Sequence, residues 1–284
     1  MKSVQVTVAK TAGFCFGVER AVQFAEEMVR GQDAPVYSFG PVVHNESVVQ
    51  ELESKGLRVI RDETELSELP AGKILIRAHG ISKSLEERLK AGSFEIIDAT
   101  CPFVKKIHRT VEKASLEGQN ILIVGDPNHP EVQGIVGWCS GPCFVIQDES
   151  EIPEIPFEKR DPMTVVVQTT FQVKKFQNIL EILLRLEYNA TIASTICSAT
   201  RERQEEAERL ASVSDAMIVI GSASSSNSQK LYEICKKQCD LTYFIQSAED
   251  VESRWFRNVK CVGITAGAST PRKIIEEVQN YVRV

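Results

Sequence analysis

The sequence lacks any long hydrophobic run. No stretch approaches the ~20 consecutive apolar residues that a helix needs to cross a bilayer, so the pattern excludes a membrane-spanning helix. No Lys- or Arg-led signal segment precedes the first apolar run, at residues 4–9, and no Arg- and Ser-rich transit segment is present. We therefore expect a cytoplasmic protein with no membrane partner.

Positive charge is also scarce. The chain has 33 Lys and Arg against 39 Asp and Glu, which gives a net charge of −6 at pH 7. Proteins that bind nucleic acid usually carry a basic footprint, so we predict no nucleic-acid partner. A small anionic substrate is still compatible, because a pocket can be locally positive in an acidic protein. With 284 residues and 43% hydrophobic content, the chain has enough apolar surface for two or three domains.

Two common motifs are missing. The eight cysteines contain no C-x2-C pair, which structural zinc sites usually use. No G-x-G-x-x-G follows the first apolar run, which argues against a dinucleotide-binding unit at the start of the chain. Eight cysteines in a cytosolic chain nevertheless favour metal or redox chemistry over disulfides.

Three of the cysteines share one kind of position. Cys15, Cys101 and Cys197 each follow a short apolar run and open an amphipathic segment, and they recur about every 90 residues. This spacing predicts three copies of one unit, each with a thiol at a strand-to-helix turn, where the helix N-terminus favours a thiolate. Three converging thiolates would make a soft metal site with one open position. Three buried structural cysteines are the alternative.

The rest of the chain repeats the order of apolar strand, polar turn and amphipathic helix. The strands are Val- and Ile-rich runs without alternation, as expected when both faces of a parallel sheet are buried. The pattern predicts an α/β protein of three units. Their expected ranges are 14–98, 99–194 and 195–284, with the N-terminal strand, within 1–13, joining the third unit. The charged, Pro-containing stretch 149–160 is expected to be a surface loop.

Polar turns at strand ends suggest an anion site. His44, His79 and His129 each lie between an apolar run and a predicted helix, a position that suits a phosphate or diphosphate. The run Ser225–Asn227, which includes Ser226, and the later Ser269 offer donors of the same kind. For any single histidine the alternative is a helix cap or a satisfied core residue.

One carboxyl group is a candidate proton donor. Glu131 stands two residues after His129, and Glu46 has the same spacing after His44. A carboxyl group in a closed metal pocket can deliver a proton, whereas an ordinary first-turn glutamate only stabilises its helix. The adjacent Thr169 and Thr170 are candidates for relaying that proton or binding a substrate hydroxyl, or they form an N-cap pair.

Nine short motifs together resemble one family. The chain is similar to LytB-type enzymes, the 4-hydroxy-3-methylbut-2-enyl diphosphate reductases, and the motifs run in family order over the whole chain. They are Ala12-Gly-Phe-Cys15-Phe-Gly-Val, Val43-His44-Asn45, Ala78-His79-Gly80, Asp98-Ala-Thr-Cys101-Pro102, His129-Pro-Glu131, Gln168-Thr-Thr170, Ile196-Cys197-Ser-Ala-Thr, Ser225-Ser-Asn227-Ser and Thr265-Ala-Gly-Ala-Ser269.

The resemblance implies a fold and a cofactor. It implies a trefoil of three pseudo-symmetric α/β units with mostly parallel sheets around a central 4Fe-4S cluster, held by Cys15, Cys101 and Cys197. It also implies that Glu131 supplies a proton, with Thr169 or Thr170 near the substrate hydroxyl. The residues that it implies for diphosphate binding are His44, His79, His129, Ser225, Ser226, Asn227 and Ser269.

The resemblance further implies a reaction. Two electrons, from ferredoxin or flavodoxin, and two protons would remove the allylic hydroxyl as water and give isopentenyl and dimethylallyl diphosphates. Two other hypotheses stay open at this point: a redox sensor that uses its cluster to signal, and a structural zinc protein of three nucleotide-binding units. The pairs Cys139/Cys143 and Cys235/Cys239 are candidates for a second metal site or a redox pair.

Overall fold

The computed structural model describes residues 4–31 and 34–283. Residues 1–3 of the predicted N-terminal strand range, residues 32–33 of the predicted first unit and Val284 of the third therefore lie outside the described residues. The described residues form twelve β-strands. The strands are β1 Gln5–Val8, β2 Val36–Phe39, β3 Leu57–Ile60, β4 Gly72–Ile76, β5 Phe94–Asp98, β6 Asn120–Val124, β7 Cys143–Ile146, β8 Met163–Val167, β9 Ala190–Ala193, β10 Ala216–Ile220, β11 Thr242–Ile245 and β12 Cys261–Ala266.

Helices alternate with most of these strands. In α6, Phe176, Ile179 and Leu183 recur at helical spacing and are buried, which contributes about 1.5–3 kcal/mol for each side chain. Within the described residues, no helix combines the length and the apolar character needed to cross a membrane. The α-helices are α1 Phe16–Gly31, α2 Glu46–Ser54, α3 Lys83–Ala91, α4 Pro102–Leu116, α5 Pro130–Val136, α6 Val173–Arg185, α7 Ser198–Ser212, α8 Ser226–Gln238 and α9 Arg272–Arg283.

The strands form three four-stranded sheets, and every strand pair in them is parallel. The strand orders are β3-β2-β4-β5, β7-β6-β8-β9 and β11-β10-β12-β1. All three sheets therefore follow one order, and the outer strand of each (β5, β9 or β1) leads into one of the three repeated cysteines. The predicted fold class, α/β with three pseudo-symmetric parallel-sheet units, is confirmed.

The N-terminal strand completes the third sheet. β1 pairs in parallel with β12, in a register that places Gln5 opposite Cys261 and Val8 opposite Ile264. The first strand of the chain thus takes the place in its sheet that β5 and β9 take in theirs. The repeat therefore connects the two ends of the chain, because the outer strand of the third sheet is the strand that precedes the first repeated cysteine.

Three strands have no counterpart in the sequence prediction. β3, β7 and β11 are each followed by a short 3₁₀ helix, at Glu63–Ser67, Glu149–Glu154 and Ala248–Asp250, and not by an α-helix. A search for strand, turn and amphipathic α-helix therefore misses them. The expected surface loop at 149–160 is wrong in part: it begins with a 3₁₀ helix, and Ile152 and Ile155 are buried.

The two faces of a sheet pack against different helices. In β6, Ile121 and Ile123 belong to the apolar cluster formed with α4 and α5. Leu122 and Val124, which point to the opposite face, belong to the cluster formed with α6. Because successive side chains of a strand alternate between faces, a strand covered on both sides must be apolar throughout.

The chain packs as two compact units. One comprises Met1–Glu19, Val43–Gln50 and Ser198–Val284, and it contains the sheet of β1, β10, β11 and β12. The other comprises Arg20–Val42 and Glu51–Cys197, and it contains the other two sheets. The three-way division of the sequence into ranges of about 90 residues remains a prediction.

Candidate active site

Each of the three repeated cysteines directly precedes an α-helix. Cys15 precedes α1, Cys101 is the N-cap residue of α4, and Cys197 precedes α7. All three side chains are partly buried. Their position recurs because each follows the outer strand of an equivalent sheet, so the repeat in the sequence corresponds to a repeat in local structure.

The turn at Cys101 is held by backbone and side-chain bonds. The Cys101 N–H donates to the Ala78 carbonyl at 3.0 Å, which ties the turn to the segment just after β4. The Asp98 carboxylate accepts from the Thr100 N–H at 2.8 Å and pairs with Lys105 on α4. Burial raises the pKa of Asp98, but the hydrogen bonds from Lys105 and Thr100 outweigh it and keep that pKa below its usual value.

A carboxylate holds the chain segment that leads from β1 to Cys15. Glu206 on α7 accepts from the N–H groups of Lys10 and Thr11, at 2.9 and 2.8 Å, and from the Thr11 hydroxyl at 2.6 Å. Burial raises the pKa of Glu206, but these hydrogen bonds prevail and lower it. Gly13, two residues before Cys15, has a φ of 98°, which favours glycine.

Glu131 is buried and bound to a neighbouring turn. It is 2% exposed and lies in the first turn of α5. Its Oε1 accepts from the Thr169 N–H at 2.6 Å, and its Oε2 accepts from the Thr169 hydroxyl at 2.7 Å. The Thr169 carbonyl in turn accepts from the Cys197 N–H at 3.3 Å. A single residue therefore connects the candidate proton donor to a cysteine turn.

His129 is oriented by the same helix. Its Nδ1 accepts from the Glu131 N–H at 3.1 Å, so it is the N-cap of α5. Since Nδ1 acts as an acceptor, a neutral imidazole carries its proton on Nε2, which is then a donor. The His79 ring packs edge-on against the His129 ring, with the centroids 5.3 Å apart. His79, His129, Glu131 and Thr169 thus form one cluster inside one compact unit.

The two threonines have different partners. Thr169 binds Glu131, whereas the Thr170 hydroxyl accepts from the Gln168 side-chain amide at 3.2 Å. The Gln168 side chain is fully buried, and its Oε1 accepts from the Asp126 N–H at 3.1 Å. No role was predicted for Gln168 from the sequence. Its position between β8 and the threonine pair could have indicated that it orients this turn.

The other compact unit brings together two predicted anion-binding residues. The Ser269 hydroxyl donates to the His44 carbonyl at 3.1 Å, and Ser269 is 6% exposed. Next to His44, the Asn45 Oδ1 accepts from the Val48 N–H at 3.2 Å in the first turn of α2. The polar turns after β12 and before α2 are therefore in direct contact.

The serine run forms the N-terminus of α8. Ser225 is the N-cap, and its hydroxyl accepts from the Ser228 N–H at 3.4 Å. The Ser226 hydroxyl accepts from the Lys230 ammonium group at 2.8 Å. Asn227 is 6% exposed, and its buried Nδ2 has no hydrogen-bond partner in the part of the chain that the structure describes. A buried amide donor at a helix N-terminus suits an anionic oxygen.

Two glycines allow α8 to approach the sheet. A Cβ at Gly221 or Gly267 would overlap the Ser228 side chain. The Gly267 N–H also donates at 2.8 Å to the carbonyl of Ile220, the last residue of β10. The first turn of α8 consequently packs against the carboxyl ends of β10 and β12, where ligands of open α/β sheets bind.

Comparison with known protein families decides the assignment of this chain. The family described as LytB protein matches residues 6–283. The chain belongs to the LytB family. Among curated relatives, the 4-hydroxy-3-methylbut-2-enyl diphosphate reductase of Caldanaerobacter subterraneus is 45% identical over 282 residues, covering 99% of this chain and 97% of the relative. The protein of the same name from Geotalea uraniireducens is 42% identical, with 98% and 97% covered.

Solved structures of the family share the fold. A structure described as the E-1-hydroxy-2-methyl-but-2-enyl-4-diphosphate reductase from Plasmodium falciparum matches with a TM-score of 0.92 at 28% identity, covering 99% of this chain and 88% of that one. A second is described as (E)-4-hydroxy-3-methyl-but-2-enyl diphosphate reductase, the terminal enzyme of the non-mevalonate pathway. It matches with a TM-score of 0.72 at 39% identity, covering 98% and 99%.

Membership of the LytB family implies an iron–sulfur cofactor, and the thiols of this chain fit one. Cys15, Cys101 and Cys197 are partly exposed at helix N-termini, where thiolates are stabilised. In contrast, Cys235 and Cys239 are buried in the apolar cluster of α7 and α8, and burial raises the pKa of Cys235 to about 12. That pair is therefore unsuited to binding a metal.

The remaining cysteine pair differs both from the three repeated cysteines and from the buried pair at α8. Cys139 and Cys143 are partly exposed, and their thiols are hydrogen-bonded to each other. The bond from Cys139 lowers the pKa of Cys143 to about 7 and raises that of Cys139. Both side chains pack against the cluster under α4 and α5.

The sequence pattern did not predict the structural role of the fourth histidine, His108. His108 on α4 is 5% exposed, and its ring stacks on Trp138 with centroids 5.1 Å apart. Burial lowers the pKa of His108 to about 4. Gly80, directly after His79, has a φ of 72°, and a Cβ there would lie 2.6 Å from the His108 ring. The glycine directly after His79 is the sequence feature that could have indicated this close packing.

Proposed function

We propose that this LytB family member reduces (E)-4-hydroxy-3-methylbut-2-enyl diphosphate to isopentenyl diphosphate and dimethylallyl diphosphate, the last step of the non-mevalonate isoprenoid pathway. Per turnover, two electrons and two protons remove the allylic hydroxyl as water. The curated relatives that cover nearly the whole chain carry this activity in their names. The hydrogen bonds that join Glu131, Thr169 and the Cys197 turn are the structural observation that carries the proposal.

Cys15, Cys101 and Cys197 are the proposed ligands of a 4Fe-4S cluster. When bound, the cluster supplies electrons and an open iron that acts as a Lewis acid toward the substrate hydroxyl. The support is the recurrence of one thiol after the outer strand of each sheet, at the start of an α-helix. The three proposed ligands come from distant parts of the chain, so the proposed site would form only on folding.

Glu131 is the proposed proton donor. Hydroxide is a poor leaving group, so a positioned acid is needed for it to depart as water. Protonated at Oε2, Glu131 would donate to the Thr169 hydroxyl, which would then turn its own proton toward the substrate. The Thr169 N–H holds the other carboxyl oxygen, so the acid keeps one orientation. Thr170, bound to Gln168, is proposed to contact the substrate and not the acid.

The diphosphate is proposed to bind at helix N-termini. His129 offers an Nε2 donor because its Nδ1 is taken by the α5 backbone. Asn227 offers a buried amide donor at the start of α8. Such groups stabilise an anion through hydrogen bonds and the helix dipole. The full proposed set is His44, His79, His129, Ser225, Ser226, Asn227 and Ser269.

Ferredoxin or flavodoxin is the proposed electron donor. The proposed location of the enzyme is the cytoplasm. Nothing in the composition favours a nucleic-acid partner, since the net charge is −6. A small acidic electron carrier would instead need a local basic surface on this chain.

Replacing Glu131 by Gln tests the proposal. The amide keeps the size of the side chain but supplies no proton, so turnover with a chemical reductant should fall by ~10²-fold or more, the usual effect of a positioned general acid. Iron content and substrate affinity should stay near wild type. Turnover is measured anaerobically with reduced methyl viologen as the electron source.

Glu46 provides the matched control. It also follows a histidine by two residues and lies in the first turn of a helix, but it is exposed. Glu46→Gln should therefore keep wild-type turnover. Near-normal turnover of iron-loaded Glu131→Gln would reassign the proton to another group. Loss of iron in that variant would show that Glu131 has a structural role.

A further inference from the structure

Helix α4 is the most basic helix in the described residues. It carries Lys105, Lys106, Arg109 and Lys113 against one acidic residue, Glu112. This concentration of positive charge occurs in a chain whose net charge is −6. The charge is therefore local to the helix and has no explanation in the overall composition.

Three of these cations share one exposed face of α4. Lys106, Arg109 and Lys113 follow each other at spacings of three and four residues, which places them on one side of a helix. Lys106 and Arg109 make no ion pair with any described residue. Lys113 lies 3.8 Å from the carboxylate of Glu117, and both side chains are exposed, so that pair holds the lysine only weakly.

An exposed aromatic residue begins the same face. Phe103 is 45% exposed and precedes Lys106 by one helical turn. It also lies two residues after Cys101, the proposed cluster ligand. An aromatic residue bordered by charged side chains is a common composition for a protein interface. We call Phe103, Lys106, Arg109 and Lys113 the α4 face.

We propose that the α4 face is the docking surface for a small electron-carrier protein with an acidic surface. The proposal rests on the proposed function, which consumes two electrons per turnover. Each docking event would transfer one electron from the reduced carrier, which is thereby oxidised, toward the redox centre that Cys15, Cys101 and Cys197 are proposed to hold, and two such events would supply the two electrons of one turnover.

Two observations favour this partner. The cations of the α4 face complement an acidic carrier and attract it from solution, which raises the association rate. Phe103 places the edge of the contact two residues from Cys101, which keeps the path for the electron short. A nucleic acid would need more phosphate contacts than three cations on one helical face provide.

The test reverses the charge of the face. The variant K106E/R109E/K113E is compared with K174E/K175E/R185E, which makes the same change of charge at exposed positions of α6. Each holoenzyme is assayed with a reduced acidic bacterial ferredoxin and, separately, with reduced methyl viologen, which needs no docking surface. Binding of the same ferredoxin is measured by calorimetry without substrate.

For the α4 variant, kcat/KM for ferredoxin should fall about tenfold or more, with weaker binding, while the methyl viologen rate is unchanged. The α6 variant should keep the wild-type rates in both assays. Wild-type turnover with ferredoxin should fall as salt is added, because exposed charges are screened.

The docking proposal is overturned if the α4 variant binds ferredoxin as wild type does, or if the α6 variant loses as much affinity. It is also overturned if the α4 substitutions abolish binding of a DNA duplex and leave ferredoxin binding intact. A wild-type holoenzyme that binds ferredoxin but reduces no substrate with methyl viologen would refute the proposed function alone, since binding is measured without substrate.

Discussion

At the scale of single residues, two glutamates with the same sequence context have different environments. Glu46 and Glu131 each follow a histidine by two residues and lie in the first turn of a helix. Glu46 is exposed, whereas Glu131 is 2% exposed and accepts two hydrogen bonds from Thr169. The chemical role proposed for Glu131 thus depends on a partner 38 residues away in sequence.

His108 shows a second effect of burial, and it predicts a pH dependence of stability. Burial lowers its pKa from 6.5 to about 4, so between these values the unfolded chain binds a proton that the folded chain does not. Its contribution to stability is complete above pH 6.5 and is lost as the pH falls toward 4. Between pH 7 and 5, the loss should be roughly 2 kcal/mol of unfolding free energy.

Replacing His108 by Phe isolates this effect. Phenylalanine keeps an aromatic ring to stack on Trp138 but does not titrate. Urea unfolding of both proteins at pH 7 and pH 5 should therefore show a smaller loss of stability in the variant. Equal losses in the two proteins would mean that the carboxyl groups alone, Asp98 among them, produce the pH dependence.

At the scale of elements, the turns after the strands position the candidate site. Gly80 follows His79, and its positive φ aims the chain from β4 toward α3. The absence of a Cβ there also leaves room for the His108 ring of α4. The same small turn thus orients a site residue and packs two elements together.

Gly80→Ala should destabilise the protein for two reasons. Alanine is strained at a φ of 72°, and its Cβ would lie 2.6 Å from the His108 Cε1 and 3.1 Å from the Thr100 Cγ2. Gly118 has a similar φ of 78° but no atom within 4 Å of its Cβ position, so Gly118→Ala has the strain without the overlap. Chemical unfolding should show Gly80→Ala to be less stable than Gly118→Ala by about 1–3 kcal/mol. Equal stabilities would show that the ring moves aside at no cost.

At the scale of the whole molecule, the three sheets repeat one strand order, and each outer strand leads to one cysteine. The third sheet is completed by β1, the first strand of the chain. The proposed cluster site takes one thiol from each of these three parts of the chain. The loss of any one thiol should therefore affect the site as a whole.

Cys15→Ser, Cys101→Ser and Cys197→Ser should each lose most of the iron and nearly all turnover, because the hydroxyl of serine is a poor iron ligand compared with a thiolate. Iron and acid-labile sulfide are measured per protein after anaerobic purification. Cys139→Ser, at a partly exposed thiol outside the repeat, should keep its iron. Full iron content in Cys197→Ser, or its loss in Cys139→Ser, would mean that the ligands are misassigned.

The sequence by itself determined the central strands, the parallel α/β class and the place of each of the three repeated cysteines before a helix. These features follow from local patterns: continuous apolar runs, helical periodicity, and residues such as Pro102 in a first helical turn. The resemblance of the nine motifs also sufficed to predict the family, which the match over residues 6–283 confirms. The residue roles stay predictions.

Only the tertiary structure decided which threonine binds Glu131, that Gln168 holds the other, and that His108 is a core residue. It also revealed β3, β7 and β11, whose short 3₁₀ helices give no amphipathic signal. Gln168 and Thr170 are two residues apart, but their hydrogen bond depends on the side-chain rotamers of the folded turn, which the residue pattern does not specify. Glu131 binds a residue 38 positions away in sequence, and His108 stacks on a residue outside its own helix. A hydrogen bond or a packed ring between such distant groups exists only once the backbone has closed around it.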